Sequence, residues 1–441
     1  MKKDVTMLRV VLLISSLLGS FGLQAQSDQA TGEHEGISLE QAKQMALANN
    51  RTIQALKFEL AGLKAQQQGQ QSAFYPEIGV AGGYHLEKVE QEREGEPVAF
   101  VYGRFNLFNG FRDMYAIDSA DLAVKQKRIH YNEQRFDLEI DLERAFDAYL
   151  YHKKNLQLTH QAIEINQQHQ QAVKKLREAG QVTQTDFMEF EIKQANLRSM
   201  LVTLKKHLAA LQIEFARLLG VDKDQALAPQ GELQHVTLSE SLDSVLQKAK
   251  DAPQYRRLAL EQQQADISNK HWRSQWMPQI DLEARGGMLP LDDRPIEPEL
   301  RDEPKMEVMV VAKLNLFSGF ATKWDRIQSE NELKASTSRA EQGYLNVTSE
   351  LKKLYSDIKH YEEKLELEEK YQAMSSRYYE SVLKEYRRGV KNSMDLANAA
   401  DRLIGASRTV SKLKYRILEN IRLIEILLGR TVELDVIDHT S

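Results

Sequence analysis

Two aspartates stand in the same local setting, Gly180-x5-Asp186 and Gly389-x5-Asp395. Each follows a small polar residue three positions earlier, Thr183 or Asn392, which is the spacing of a capping box. At such a place a carboxylate satisfies the first N–H groups of a helix and favours its dipole. Little else is spaced for chemistry. His130, His152, His160 and His169 share one long helical stretch, but none lies three or four residues from another, so solvated helix positions account for them better than a metal site. The absence of cysteine removes disulfides, thiolate ligands, Cys nucleophiles and a lipid-bearing Cys. There is no Gly-rich phosphate loop, nucleophile elbow or carboxylate pair arranged for acid–base work. The expectation is a chain that is not an enzyme and carries no cofactor or metal. A net charge of −5 points away from nucleic acid.

The elements that hold the two aspartates come from an internal repeat. Asn106-Leu107-Phe108-Asn109-Gly110-Phe111 returns as Asn315-Leu316-Phe317-Ser318-Gly319-Phe320, and the same offset carries Gly180 to Gly389, Asp186 to Asp395 and Leu218-Leu219-Gly220 to Leu427-Leu428-Gly429. Tyr75-Pro76 matches Met277-Pro278 at a shorter offset, so the second repeat has gained residues in between, expected in a loop. Upstream of the repeats, Lys2, Lys3 and Arg9 precede an apolar run from Val10 to Leu23 that is too short for a spanning helix, and residues 1–25 read as a secretory signal peptide. The resulting division is a signal over 1–25, a first repeat over 26–220, a linker over 221–236, a second repeat over 237–429 and a tail over 430–441.

Proline avoids residues 98–228 and 305–441 and crowds between Pro290 and Pro304. Inside the proline-free stretches, apolar residues recur at alternating steps of three and four, as in Leu197, Leu201, Leu204, Leu208, Leu211, Phe215 and Leu218. Leu351, Leu354, Ile358, Tyr361 and Leu365 repeat that coiled-coil seam, as do Val410, Leu413, Ile417, Ile421, Ile424 and Leu428. Each repeat is therefore expected to hold two long helices meeting near a glycine. Before each Asn-Leu-Phe the period changes to two. Ile280, Leu282, Ala284 and Gly286 alternate with Gln279, Asp281, Glu283 and Arg285, and Val308 to Leu316 continues the pattern beyond a loop. This predicts β-hairpins over about 77–107 and about 279–316. A half-buried soluble hairpin and a membrane strand pair share this alternation. If the strands sit in lipid, four of them cannot close a barrel, which takes about eight, so the barrel must be shared among subunits.

The duplicated order of helix, Pro, strand, strand, Leu-Phe-x-Gly-Phe, long helix, Gly-x5-Asp, returning helix and Leu-Leu-Gly resembles the TolC-like outer-membrane factors, from about Ile37 to Arg430. The resemblance implies a mainly α fold with membrane β: a coiled-coil helical barrel below a transmembrane β-barrel completed by trimerisation. It implies a passive exit duct in the outer membrane that extends into the periplasm. The implied partners are two further copies, outer-membrane lipid, a periplasmic adaptor (membrane fusion) protein and an inner-membrane pump. It also implies a periplasmic gate at the coiled-coil tips, carried over to Asp186, Tyr386, Lys391, Asp395 and Asn398, with Gly180 and Gly389 at the tip turns. Lys391 stands where close relatives carry Arg, which removes a bidentate contact, and Asn398 stands where some carry Asp, leaving Asp395 the main candidate for binding a cation. Helix capping alone also explains both aspartates. The acidic loops Glu87 to Pro97 and Leu289 to Lys305 would then form a negative mouth or simply a polar rim. Trp272 and Trp276, with Phe105, Phe108, Phe111, Phe317 and Phe320, form an interfacial aromatic belt or ordinary junction packing. The alternative reading is a periplasmic coiled-coil spacer or adaptor protein with no membrane barrel.

Overall fold

The computed structural model describes residues 36–89, 92–180, 183–221, 227–288 and 305–436. The signal segment, the crowded prolines of 290–304 and the end of the tail lie outside the described residues. In chain order the elements are β1 (Gly36–Ile37), α1 (Leu39–Asn49), α2 (Arg51–Gln70), β2 (Glu77–Val89), β3 (Glu92–Phe108), α3 (Arg112–Glu178) and α4 (Gln184–Leu219). There follow β4 (Ala228–Pro229), β5 (Val236–Leu238), α5 (Leu242–Lys248), α6 (Pro253–Arg273), β6 (Gln279–Met288), β7 (Lys305–Lys313), α7 (Ala321–Arg387), α8 (Ser393–Leu428) and β8 (Leu434–Val436). The fold is mainly helical, with its strands in open sheets.

The repeat is visible in the helices. Both α3 and α7 run 67 residues, and both α4 and α8 run 36. At 1.5 Å per residue the longer pair each extend about 100 Å. Both long helices start on the same device. Gly110 and Phe111 sit at φ 68° and 64°, and Gly319 and Phe320 at 64° and 67°. A left-handed Phe costs about 1–2 kcal/mol. In both repeats an edge-to-face ring pair is in place to offset it, Phe108 with Phe111 at 5.4 Å and Phe317 with Phe320 at 5.2 Å between centroids. The Leu-Phe-x-Gly-Phe motif is thus a strand-to-helix corner.

The four long strands form one antiparallel sheet in the order β2-β3-β6-β7. The first hairpin stays in register from Glu77 opposite Arg104 to Val89 opposite Glu92. This corrects the expectation of a loop over Glu87 to Pro97. The ladder continues through Glu87, Lys88 and Val89 paired with Glu94, Arg93 and Glu92, because pairing satisfies backbone groups whatever the side-chain charge. The corners also differ. Phe108 still pairs with Ile280 past a bulge, whereas β7 ends at Lys313, short of Asn315 and Leu316. The reason is position: β3 has a neighbour on each side, and β7 is an edge with one.

Two apolar cores, one for each repeat, lie away from the sheet. Leu142, Phe146, Phe215 and Leu219 pack with Ala42 and Ala46 of α1. Leu351, Ile358, Ile417, Ile421 and Ile424 pack with Val245 of α5 and Val236 of β5. Short strand pairs, β1 with β4 and β5 with β8, tie the segments around the helix ends to one another.

Candidate functional site

Both hairpin tips turn on a left-handed glycine, Gly180 at φ 73° and Gly389 at φ 75°. The Gly180 N–H donates to the Arg177 carbonyl at 2.9 Å and the Gly389 N–H to the Tyr386 carbonyl at 2.9 Å. Without a Cβ the chain reverses there at no steric cost. In the second tip the capping box forms in full: Asp395 N–H donates to Asn392 Oδ1 at 2.8 Å, and Asn392 N–H to Asp395 Oδ2 at 3.3 Å. Asp395 therefore uses one carboxylate oxygen as a cap and keeps the other. Asp186 is the third residue of α4, and its side chain lies outside the described residues, as does any cap it forms with Thr183.

Tyr386 packs on Val382, Leu396 and Ala399 inside its own hairpin, and Asn398 is exposed on α8. Lys391 is half-buried and, among the described residues, forms no ion pair. The structure does not bring Lys391 and Asp395 together as a bridge within one chain.

What joins the two hairpins near the tips is a set of residues the sequence reading passed over. Lys193 Nζ lies 2.5 Å from Asp401 Oδ1, linking α4 to α8. Val173 and Phe190 form a small apolar cluster with Ala397, flanked by Phe187 and Met394. Arg408 donates to Thr159 Oγ1 at 3.0 Å. The Arg177 guanidinium sits 4.4 Å over the Phe187 ring and donates to Gln184 at 2.9 Å, bracing the first tip. No sequence spacing marks these contacts, although Asp401 lies on the same helix as Asp395.

The histidines need a correction. His160 is exposed, as a solvated helix position should be. His169 is buried at 8 % exposure, edge-on to Phe190, and desolvation, helped by nearby Lys193, lowers its pKa to about 4. His152 stacks on His207 of α4 at 5.6 Å, and burial followed by that second ring lowers its pKa. α3 has helices packed on more than one side, so these rings meet protein instead of water. Among the described residues no group of three or more His, Cys, Asp or Glu is placed to hold a metal ion.

The sheet has one charged and one apolar face. Arg104 donates to Asp281 at 3.0 Å, Lys313 lies 3.9 Å from both Asp281 and Glu283, and Arg285 is 3.5 Å from Glu283. Asp281 is fully buried beneath these partners. On the other face Ile78, Val80, Tyr84, Met306, Val308 and Val310 are all more than half exposed. No helix among the described residues is long and apolar enough to cross a membrane.

The comparisons agree with this geometry. No curated protein sequence matches the chain significantly. By structure the chain is similar to the outer membrane protein VceC of Vibrio cholerae, at TM-score 0.78 and 14 % identity over 90 % of this chain and 97 % of that one. It is similar to the Campylobacter jejuni CmeC outer membrane channel, at TM-score 0.78 and 12 % identity over 90 % and 86 %. The open state of the Neisseria gonorrhoeae MtrE outer membrane channel aligns at TM-score 0.73 and 13 % identity over 89 % of each. At such identities the likeness speaks for the fold. Family assignment comes from sequence: the family model described as outer membrane efflux protein matches residues 42–221 and again 246–430. With that model matched twice, over most of its length and along its own internal repeat, this chain belongs to the outer membrane efflux protein family.

Proposed function

We propose that three copies of this chain close one barrel and one helical tunnel, forming the passive outer-membrane duct of a tripartite efflux pump or secretion system. The outer-membrane location and the channel role follow from the family. The observation that carries the trimer is the open sheet. Four strands leave β2 and β7 as free edges, and in lipid each unsatisfied backbone group costs several kcal/mol. Pairing β7 of one copy with β2 of the next removes every edge. The exposed apolar face then meets lipid, and the Asp281, Arg104 and Lys313 face lines water. Exposed apolar side chains on α4 (Ile192, Met200, Val202, Ile213) and α7 (Leu367, Tyr371, Met374, Tyr378) supply matching contacts below the barrel.

The gate in this reading is the ring of tips, with Asp186, Tyr386, Lys391, Asp395 and Asn398 around the turns at Gly180 and Gly389. Lys391, which forms no ion pair among the described residues, is available to a neighbouring copy. The free oxygen of Asp395 is available to a cation or to that lysine. A periplasmic adaptor docking on the hairpins would part the tips, and an inner-membrane pump would supply the energy that a passive duct lacks.

Single-channel conductance of the detergent-purified chain in planar bilayers, with its mass in detergent, tests the reading. Small conductance steps from a trimer are expected, enlarged by Lys391→Ala or Asp395→Ala. A water-soluble monomer that never inserts would overturn the duct and leave a spacer or adaptor. Unchanged conductance in both variants would remove the gate role.

A further inference from the structure

A cluster of buried charges lies where the two repeats meet, far along the chain from either tip. Arg422 of α8 is 13 % exposed in its side chain, and its Nη1 lies 2.6 Å from Glu143 of α3 and 2.9 Å from Glu425 of α8. Lys43 of α1 pairs with the other oxygen of Glu143. The second oxygen of Glu425 accepts the Val432 N–H at 3.2 Å, fixing the chain beyond α8. These four charges balance, two positive and two negative. Asp147 of α3 is a fifth. It lies 3.7 Å from Arg422 Nε, and neither its Oδ2 nor that Nε makes a hydrogen bond.

We propose that Asp147 is a proton-operated latch on the seam between the repeats. With a proton on Asp147, the cluster is neutral, and α1, α3, α8 and the chain after α8 close on it. Without that proton, one uncompensated negative charge sits in the interior, and the α3–α8 seam loosens. Desolvation pushes the Asp147 carboxyl up to about 7, outweighing the downward pull of Arg422, and Glu143 and Glu425 add to the rise. Burial also raises the Glu425 carboxyl, against Arg422. The Tyr415 phenol also faces Asp147, raised by its own burial and then by Glu419, with Arg144 and Arg416 nearby. The sign follows from the raised folded value. Stability from the protonated form is full below the unfolded carboxylate range and is lost as pH rises through about 7.

The test is hydrogen exchange on the full chain in detergent at pH 5.5 and pH 8, corrected for intrinsic rates. It reads the fold directly, so it stands apart from the channel assay. Amides of α3 and α8 around Asp147 and Arg422 should open about thirtyfold more readily at pH 8 than at pH 5.5, because opening rises nearly tenfold per pH unit up to the midpoint near 7 and levels off above it. Asp147→Asn should hold them protected at both pH values. Glu143→Gln removes one neighbouring negative charge and should move the midpoint to lower pH. Exchange that does not change with pH in the wild type, or the same pH dependence in Asp147→Asn, overturns the latch. Should Asp147→Asn fail to fold, an unmoved midpoint in Glu143→Gln overturns it.

Discussion

Helices α3 and α7 are the same element written twice, equal in length and entered through the same Phe-x-Gly-Phe corner, yet their lower halves meet different surroundings. Near the cores the equivalence holds in detail. Leu138, Leu142 and Tyr149 of α3 occupy the places of Val347, Leu351 and Ile358 of α7, and all six are buried. Further down it fails. α3 buries Leu158, Ala162 and His169 because it lies against both α4 and α8, where Asn166 donates to Gln194 at 2.9 Å and Arg408 to Thr159 at 3.0 Å. The equivalent stretch of α7 leaves Leu367, Tyr371, Met374 and Tyr378 exposed at steps of four, three and four. An apolar stripe at that spacing has the pattern of a coiled-coil seam. The difference teaches that one sequence unit can serve as an inner helix in one copy and as an edge in the other.

The comparison can be broken at several points. Replacing Leu367 and Met374 together with Ser should cost assembly about 3–6 kcal/mol, since burying each such side chain stabilises by about 1.5–3 kcal/mol. Mass in detergent should then fall from trimer to monomer with the monomer still folded, and an intact trimer would show that the stripe is only surface. Leu142→Ala and Leu351→Ala should each cost about 2–5 kcal/mol in denaturant unfolding, with similar values for the two, because both side chains are fully buried in matching cores. A large gap between them would mean the repeats are not equivalent even there. Gly180→Ala and Gly389→Ala should each cost about 1–2 kcal/mol by forcing a Cβ into the left-handed region.

The last effect concerns pH and only one hairpin. His169 has its folded pKa lowered to about 4, below its ordinary value of 6.5. Its contribution to stability is therefore full above pH 6.5 and is lost as pH falls towards 4. Its counterpart in α7 is Tyr378. Proteolysis or exchange on acidification should loosen the first hairpin before the second, and His169→Phe should remove the difference.

Much of this was readable from spacing. The offset that carries Gly180 to Gly389 and Asp186 to Asp395 located both tips, and proline-free heptads located the helices between them. Alternation in Ile280 to Gly286 located a strand with a charged face. What escaped were contacts between residues distant in the chain: Lys193 with Asp401, His152 with His207, and Arg422 with Glu143 and Asp147. His169 read as solvated because its helix carries polar residues around it. The stretch from Glu87 to Pro97 read as a loop because it is acidic, but an antiparallel ladder is held by backbone groups and tolerates charge.

By itself, the sequence determined the elements, their duplication and their corners, because helix periodicity, proline exclusion and a glycine at positive φ are local properties of the chain. Only the tertiary structure decided which copy of each element is enclosed and which is an edge. It also decided which charges are buried together, because desolvation and ion pairing depend on what packs alongside. Neighbours hundreds of residues away leave no mark on local spacing.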